Sequence, residues 1–141
     1  MVQTASQLLE ILIVEDDDTA RRELRRVLTK QGFAAVREAS DSGEAILIAQ
    51  SRDIDIVLMD ILLEDGPDGV EAARRIQDLR PAVSFIFVSA FASDPTHRER
   101  AKEHNLRVVD WLEKPIRPAL QHLIQILEEM NPPRIIDQGQ P

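Results

Sequence analysis

"DIVLMDILLEDGPDGVEAARRIQDL", residues 55–79, decides the fold. From Ile56 to Met59 the run is apolar without alternation, the mark of a strand covered on both faces. From residue 69 onward Ala72, Ala73, Ile76 and Leu79 recur with helical period, predicting a helix over 69–80. Asp65, Gly66 and Pro67 between them read as a turn. One residue disturbs this picture. Asp60 stands between Met59 and Ile61, and a lone buried carboxylate costs several kcal/mol unless it is paired, metal-bound or protonated.

Working outward, the same alternation repeats. Apolar runs occur at "EILIV" (10–14), "FAAV" (33–36), "DIVLM" (55–59), "SFIFV" (84–88) and "RVVDWL" (107–112). Amphipathic stretches separate them. Ala20, Leu24, Val27 and Leu28 line one face of 19–30, and Ile116, Leu120, Leu123, Ile124 and Leu127 line 116–130. "SDSGEA" offers cap residues to a helix over 41–51, and Asp94 with Pro95 opens another over 94–104. Strands alternating with helices predict an α/β, doubly wound parallel sheet, because each parallel connection needs a crossover. Ligands of such sheets lie at the carboxyl ends of the strands.

Composition sets outer bounds. The 141 residues suit one domain, with 43% apolar and 30% charged residues. A net charge of −8, from 17 basic against 25 acidic residues, argues against direct nucleic-acid binding. No run approaches the roughly 20 apolar residues of a membrane span, so a cytoplasmic domain is expected. The absence of cysteine excludes disulfides and thiolate chemistry. Residues 1–8 read as an N-terminal extension, 9–130 as the domain, and 131–141, "NPPRIIDQGQP", as a tail or the start of a linker.

At the strand ends the chemistry gathers. The first run ends in Glu15, Asp16, Asp17 and Asp18, the third at Asp60, the fourth at Ser89, and Lys114 follows the fifth. A parallel sheet brings these to one edge, with Asp60 emerging from the top of a central strand rather than buried in it. Two carboxylates about 4 Å apart repel by about 4 kcal/mol at an effective dielectric of 20. Oxygen-only ligands with room for water favour Mg²⁺ as the ion that relieves this. A carboxylate nucleophile, a metal, a lysine and a hydroxyl together suit a phosphoryl group. Singly, each has a plainer reading: "EDDD" as a helix cap, Asp60 as a turn residue, "KP" as a turn. The set in strand-end order is what carries the chemistry.

Here the sequence resembles the receiver domain of two-component response regulators, on "ILIVEDD", "DIVLMD", "DGVEAARRI", "FIFVSA" and "WLEKPI" in order, over roughly residues 9–130. The resemblance implies a flavodoxin-like (βα)5 fold with strand order 2-1-3-4-5. It implies Asp60 as phosphoacceptor, taking a phosphoryl group from a phosphohistidine on a sensor histidine kinase or a histidine phosphotransfer protein in a Mg²⁺-dependent step. Asp16, Asp60 and the backbone carbonyl of Leu62 would ligate the ion directly, and Glu15 through water. Lys114, Ser89 and the backbone N–H of Ala90 would hold the phosphoryl group, and Trp111 would be the switch aromatic. Signalling would run through the face of the fourth helix, fifth strand and fifth helix to a downstream protein target or a fused output domain. Catalysis would be of the domain's own phosphorylation and slow dephosphorylation.

Departures accompany the match. The loop from Asp60 to Asp68 and Gly69 is one residue longer than in the chemotaxis type and lacks its usual proline, and the segment from Ser89 to Trp111 is longer and very polar. Leu62 and Phe91 occupy two positions that tune phosphoryl lifetime in the family, and this apolar pair is expected to lengthen it. His97, His104 and His122 lack metal spacing and read as surface residues. The surplus apolar residues Ala119, Ile126 and Met130 suggest a homodimer or partner contact. Other readings fit less well. A haloacid-dehalogenase-type phosphohydrolase wants an acid where Leu62 stands, and a topoisomerase–primase fold wants an Asp-x-Asp that "DIL" lacks. A receiver fold used only for docking, never phosphorylated, is the remaining alternative, as is a receiver fragment of a larger regulator.

Overall fold

The computed structural model describes residues 9–130. The expected extension and tail, including Pro132 and Pro133, lie outside them. Five strands, β1 (Glu10–Val14), β2 (Ala35–Ala39), β3 (Ile56–Asp60), β4 (Ser84–Ser89) and β5 (Val108–Glu113), form one parallel sheet in the order β2-β1-β3-β4-β5. The helices are α1 (Asp18–Lys30), α2 (Ser42–Ser51), α3 (Gly69–Leu79), α4 (Pro95–Glu103) and α5 (Leu120–Met130). Among the described residues no helix is long and apolar enough to cross a membrane.

Because strand side chains alternate, the central strands feed two cores. Leu12, Val14, Val57, Met59, Phe85 and Phe87 point to the side covered by α2 and α3. Ile11, Ile13, Ile56, Leu58, Ile86 and Val88 point to the side covered by α1 and α5. The three unalternating runs are therefore buried on both faces, as their composition requires. Aspartates cap four helices: Asp17, Asp41, Asp68 and Asp94 each accept a backbone N–H from the first turn of the helix that follows.

Several expectations shift. The second strand is "AVREA", not "FAAV": Phe33 is buried in the turn after α1, its N–H donating to the Leu28 carbonyl. β2 is an edge strand, so a half-polar sequence suits it. Pro118 sits in a short 3₁₀ turn (Arg117–Ala119), and the last helix begins only at Leu120. Ala20 is exposed and Leu79 is 41% exposed, so neither belongs to the core face expected of it. Ala119, Ile126 and Met130 are half-buried against the α1–α5 core. The breadth of that stripe is thus used inside the fold and makes no case for a dimer. Of the three histidines only His122 is exposed, and it pairs with Asp110 at 2.8 Å; His97 and His104 are half-buried.

Candidate functional site

Register brings the acids together. Val14 pairs with Met59, Asp60 with Val88 and Ser89 with Glu113, so the carboxyl ends of β1, β3, β4 and β5 lie level along one edge. A cleft of about 390 Å³ opens there, lined by Glu15, Asp16, Asp17, Asp60, Leu62, Glu64, Ser89, Ala90 and Lys114.

The "EDDD" run divides its labour. Asp17 caps α1, and Asp18 bonds Arg21 at 2.6 Å. Glu15 and Asp16 instead turn into the cleft, where one carboxylate oxygen from each lies within 4.8 Å of one from Asp60. Each is anchored by a backbone donor. Glu15 Oε2 accepts from the Asp17 N–H at 3.0 Å, Asp16 Oδ2 from the Glu64 N–H at 3.0 Å, and Asp60 Oδ1 from the Leu62 N–H at 3.2 Å. The run therefore splits: Asp17 caps α1, while Glu15 and Asp16 enter the cleft beside Asp60.

Asp60 corrects one expectation. It does not stand clear of the strand but ends β3 with 5% exposure. What offsets its burial is Lys114, whose Nζ lies 3.0 Å from Asp60 Oδ2 and 2.7 Å from Glu15 Oε1. The Lys114 N–H donates to the Ser89 carbonyl at 3.0 Å, fixing the lysine to the end of β4, and its peptide bond to Pro115 is cis. Burial works to lower the Lys114 pKa, but the hydrogen bonds to Glu15 and Asp60 outweigh it and hold the amine above its ordinary 10.5. Glu15 goes the other way. Burial pushes its carboxyl above 4.5 despite the hydrogen bond from Lys114. One lysine does not fully satisfy two buried carboxylates and a third within 4.8 Å of them. An all-oxygen donor set short of positive charge fits a hard divalent cation.

Behind the cleft, α3 begins hard against the acceptor. A Cβ built on Gly69 would fall 2.1 Å from the Asp60 carbonyl oxygen, and the Gly69 N–H donates to the Ile61 carbonyl at 2.7 Å. Only glycine fits that contact. The preceding Asp68 takes a bidentate grip from Arg100 on α4, at 2.6 and 3.0 Å, which holds its carboxyl below the usual range against the effect of burial.

Ser89 is 1% exposed, and its Oγ accepts the Phe91 N–H at 3.1 Å. Ala90 lines the cleft. Leu62 lines it with 49% exposure, and Phe91, two residues past Ser89, is 57% exposed. Trp111 lies apart from the cleft. Its ring stacks on Phe87 at 4.7 Å, and the Arg98 guanidinium sits 5.1 Å above it. Sequence reading missed Arg21, Glu64, Arg98 and Arg100. Only Arg21 left a trace, as an i,i+3 partner of Asp18; the others act across gaps with no local pattern.

Comparison with known proteins agrees with this geometry. The sequence model of the response regulator receiver domain matches residues 11–128. The chain belongs to that family. The receiver is 29% identical over 108 residues to the transcriptional regulatory protein YvrH of Bacillus subtilis, covering 77% of this chain and 44% of that protein. It is 29% identical over 120 residues to the response regulator receiver protein CpdR of Brucella abortus, covering 85% of this chain and 94% of CpdR. Among solved structures, a CheY-like receiver domain protein from Methanospirillum hungatei superposes with a TM-score of 0.73 at 26% identity, covering 86% of this chain and 94% of that one. The receiver thus spans most of some relatives and under half of others.

Proposed function

We propose that this receiver domain accepts a phosphoryl group at Asp60 from a phosphohistidine on a sensor histidine kinase or a histidine phosphotransfer protein. A carboxylate oxygen of Asp60 attacks phosphorus in line. The new O–P bond forms as the P–N bond breaks, and the bonding pair returns to the donor imidazole. The single observation carrying this reading is the triad of Asp60, Glu15 and Lys114 at 3.0 and 2.7 Å, at the mouth of an acid-lined cleft. Mg²⁺, held by Glu15, Asp16, Asp60 and the Leu62 carbonyl, would neutralise the carboxylates and the incoming phosphoryl oxygens. Lys114 is already in place to pair with the transferred group. Ser89 and Ala90 line the cleft it would enter, where the serine hydroxyl and the Ala90 N–H would serve as donors.

Beside the acceptor, an apolar groove of about 330 Å³ between α1 and residues 115–120 ends on Asp60 and Lys114, and suits the approach of a donor protein. Onward signalling would use α4, β5 and α5. Of α4 only Ala101 is buried; the rest is held through Arg98 on Trp111 and Arg100 on Asp68. Such an element can shift for the few kcal/mol that one phosphoryl group supplies. The convergence of Glu15, Asp16, Asp60 and Lys114 in one cleft favours this reading over a docking-only role. Transfer of radiolabel from a phosphorylated histidine kinase to this chain tests the proposal. Label should reach the parent and not Asp60→Asn, and should not transfer in EDTA; equal labelling of the variant would refute Asp60 as acceptor.

A further inference from the structure

Resting on that reading of the cleft, we propose that Arg21 is a positioning residue for the metal-binding acids, fixing the peptide that joins Glu15 to Asp16. Arg21 lies on the inner face of α1 with 7% exposure. Each of its guanidinium nitrogens has a partner. Nη1 donates to the Glu15 carbonyl at 2.8 Å, Nε to Glu38 Oε1 on β2 at 2.9 Å, and Nη2 to Asp18 Oδ1 at 2.6 Å. A rigid plane thus ties the backbone of the β1–α1 loop to side chains on the second strand and the first turn of α1.

The carbonyl it holds belongs to the one peptide between the two acids that enter the cleft from this loop. That peptide's orientation decides where both carboxylates start. Above it, Asp16 has its hydrogen bond to the Glu64 N–H, in an exposed loop; below it, the Arg21 contact is buried. The rigid side of the acid pair is the arginine side.

Stability gives little reason for an arginine here. Buried ion networks commonly contribute no more than well-packed apolar residues of the same size, and α1 already buries Leu24 and Leu28 beside it. Glu38 also meets Arg25, but through its other carboxylate oxygen at 3.0 Å and in an exposed contact outside the guanidinium plane. An outer partner that orients metal ligands normally governs affinity for the ion by about 10- to 100-fold, and Arg21 stands in that relation to Glu15 and Asp16.

The test is calorimetric titration of the full chain with Mg²⁺, for the parent, Arg21→Lys, Arg21→Met, Glu38→Gln and Arg25→Gln, with folding checked by circular dichroism. Arg21→Lys keeps the charge but cannot reach three partners. Its Mg²⁺ dissociation constant should rise about 10-fold or more. Arg25→Gln, which removes a positive charge from the same helix, should stay within about twofold of the parent. For Arg21→Lys, the Mg²⁺ concentration that gives half-maximal phosphorylation by acetyl phosphate should rise in step with that dissociation constant, and an unshifted half-maximal concentration overturns the proposal. A folded Arg21→Lys that binds within about threefold of the parent overturns the proposal, and so does equal weakening in Arg25→Gln. Should both Arg21 variants fail to fold, Glu38→Gln, which loosens the same plane, decides by the same threshold. A parent that binds no Mg²⁺ overturns the metal reading itself, a different outcome from equal binding by all five proteins.

Discussion

Replacing Lys114 with methionine tests the electrostatics of the cleft. Methionine keeps most of the side chain's length and removes its charge, leaving Asp60 and Glu15 buried without a partner. In the parent, Nζ lies 3.0 and 2.7 Å from the two carboxylates, whose oxygens lie within 4.8 Å of each other. At an effective dielectric near 20 the two attractions are about 5 to 6 kcal/mol each and the repulsion at least about 3.5 kcal/mol. Desolvation of the lysine and its 31% side-chain exposure offset most of the gross attraction. A net loss of about 2–3 kcal/mol at pH 7 in EDTA is expected, somewhat below the usual cost of breaking a fully buried pair.

The pH dependence fixes the sign. The Lys114 pKa is raised above 10.5, so the stability it contributes is fully present at neutral pH and is lost only as pH climbs through the folded-state value. In the variant the Glu15 carboxyl, already raised above 4.5 by burial, rises further. Protonation then relieves the strain, and the deficit shrinks as pH falls toward 4.5. Urea unfolding followed by the fluorescence of Trp111, the chain's one tryptophan, measures this at both pH values. A deficit below about 0.5 kcal/mol at pH 7, or one equally large at pH 4.5, would refute the reasoning.

Three further outcomes follow from other contacts. Gly69→Ala places a Cβ 2.1 Å from the Asp60 carbonyl, so α3 or the acceptor must move; a loss of about 3 kcal/mol in urea unfolding is expected, with slower phosphorylation by acetyl phosphate. Glu71, paired with Arg74 and Arg75, has its carboxyl held down at about 2. The stability difference between parent and Glu71→Gln should be present above pH 4.5 and vanish as pH falls toward 2, in unfolding curves taken across that range. Replacing the exposed pair Leu62 and Phe91 with asparagine and glutamate should open the cleft to water and shorten the phosphoryl half-life about tenfold, a change of about 1.4 kcal/mol in the hydrolysis barrier, read from the decay of intact mass.

The parallel sheet was legible because "EILIV", "DIVLM" and "SFIFV" can be read only as strands covered on both sides. The edge strand was not, because a half-exposed strand such as "AVREA" carries polar residues, while Phe33 offers a stronger apolar signal from a turn. The acids were legible for a related reason: Asp60 is conspicuous inside an apolar run. Its burial was not, since the compensating charge of Lys114 comes from the end of another strand and only the fold brings the two to 3.0 Å. Arginines escaped most completely. Arg98 and Arg100 look like solvated charges in a polar helix, yet one covers Trp111 and the other grips the cap of α3. Nothing local distinguishes them, because their partners lie on other elements.

The most direct test of the central claim is intact mass after incubation with Mg²⁺ and acetyl phosphate, for the parent and Asp60→Asn. One added phosphoryl group in the parent only, absent when EDTA is included from the start, is the expected result. No adduct in the parent while calorimetry shows Mg²⁺ bound would contradict the account, and would leave this receiver as a docking module.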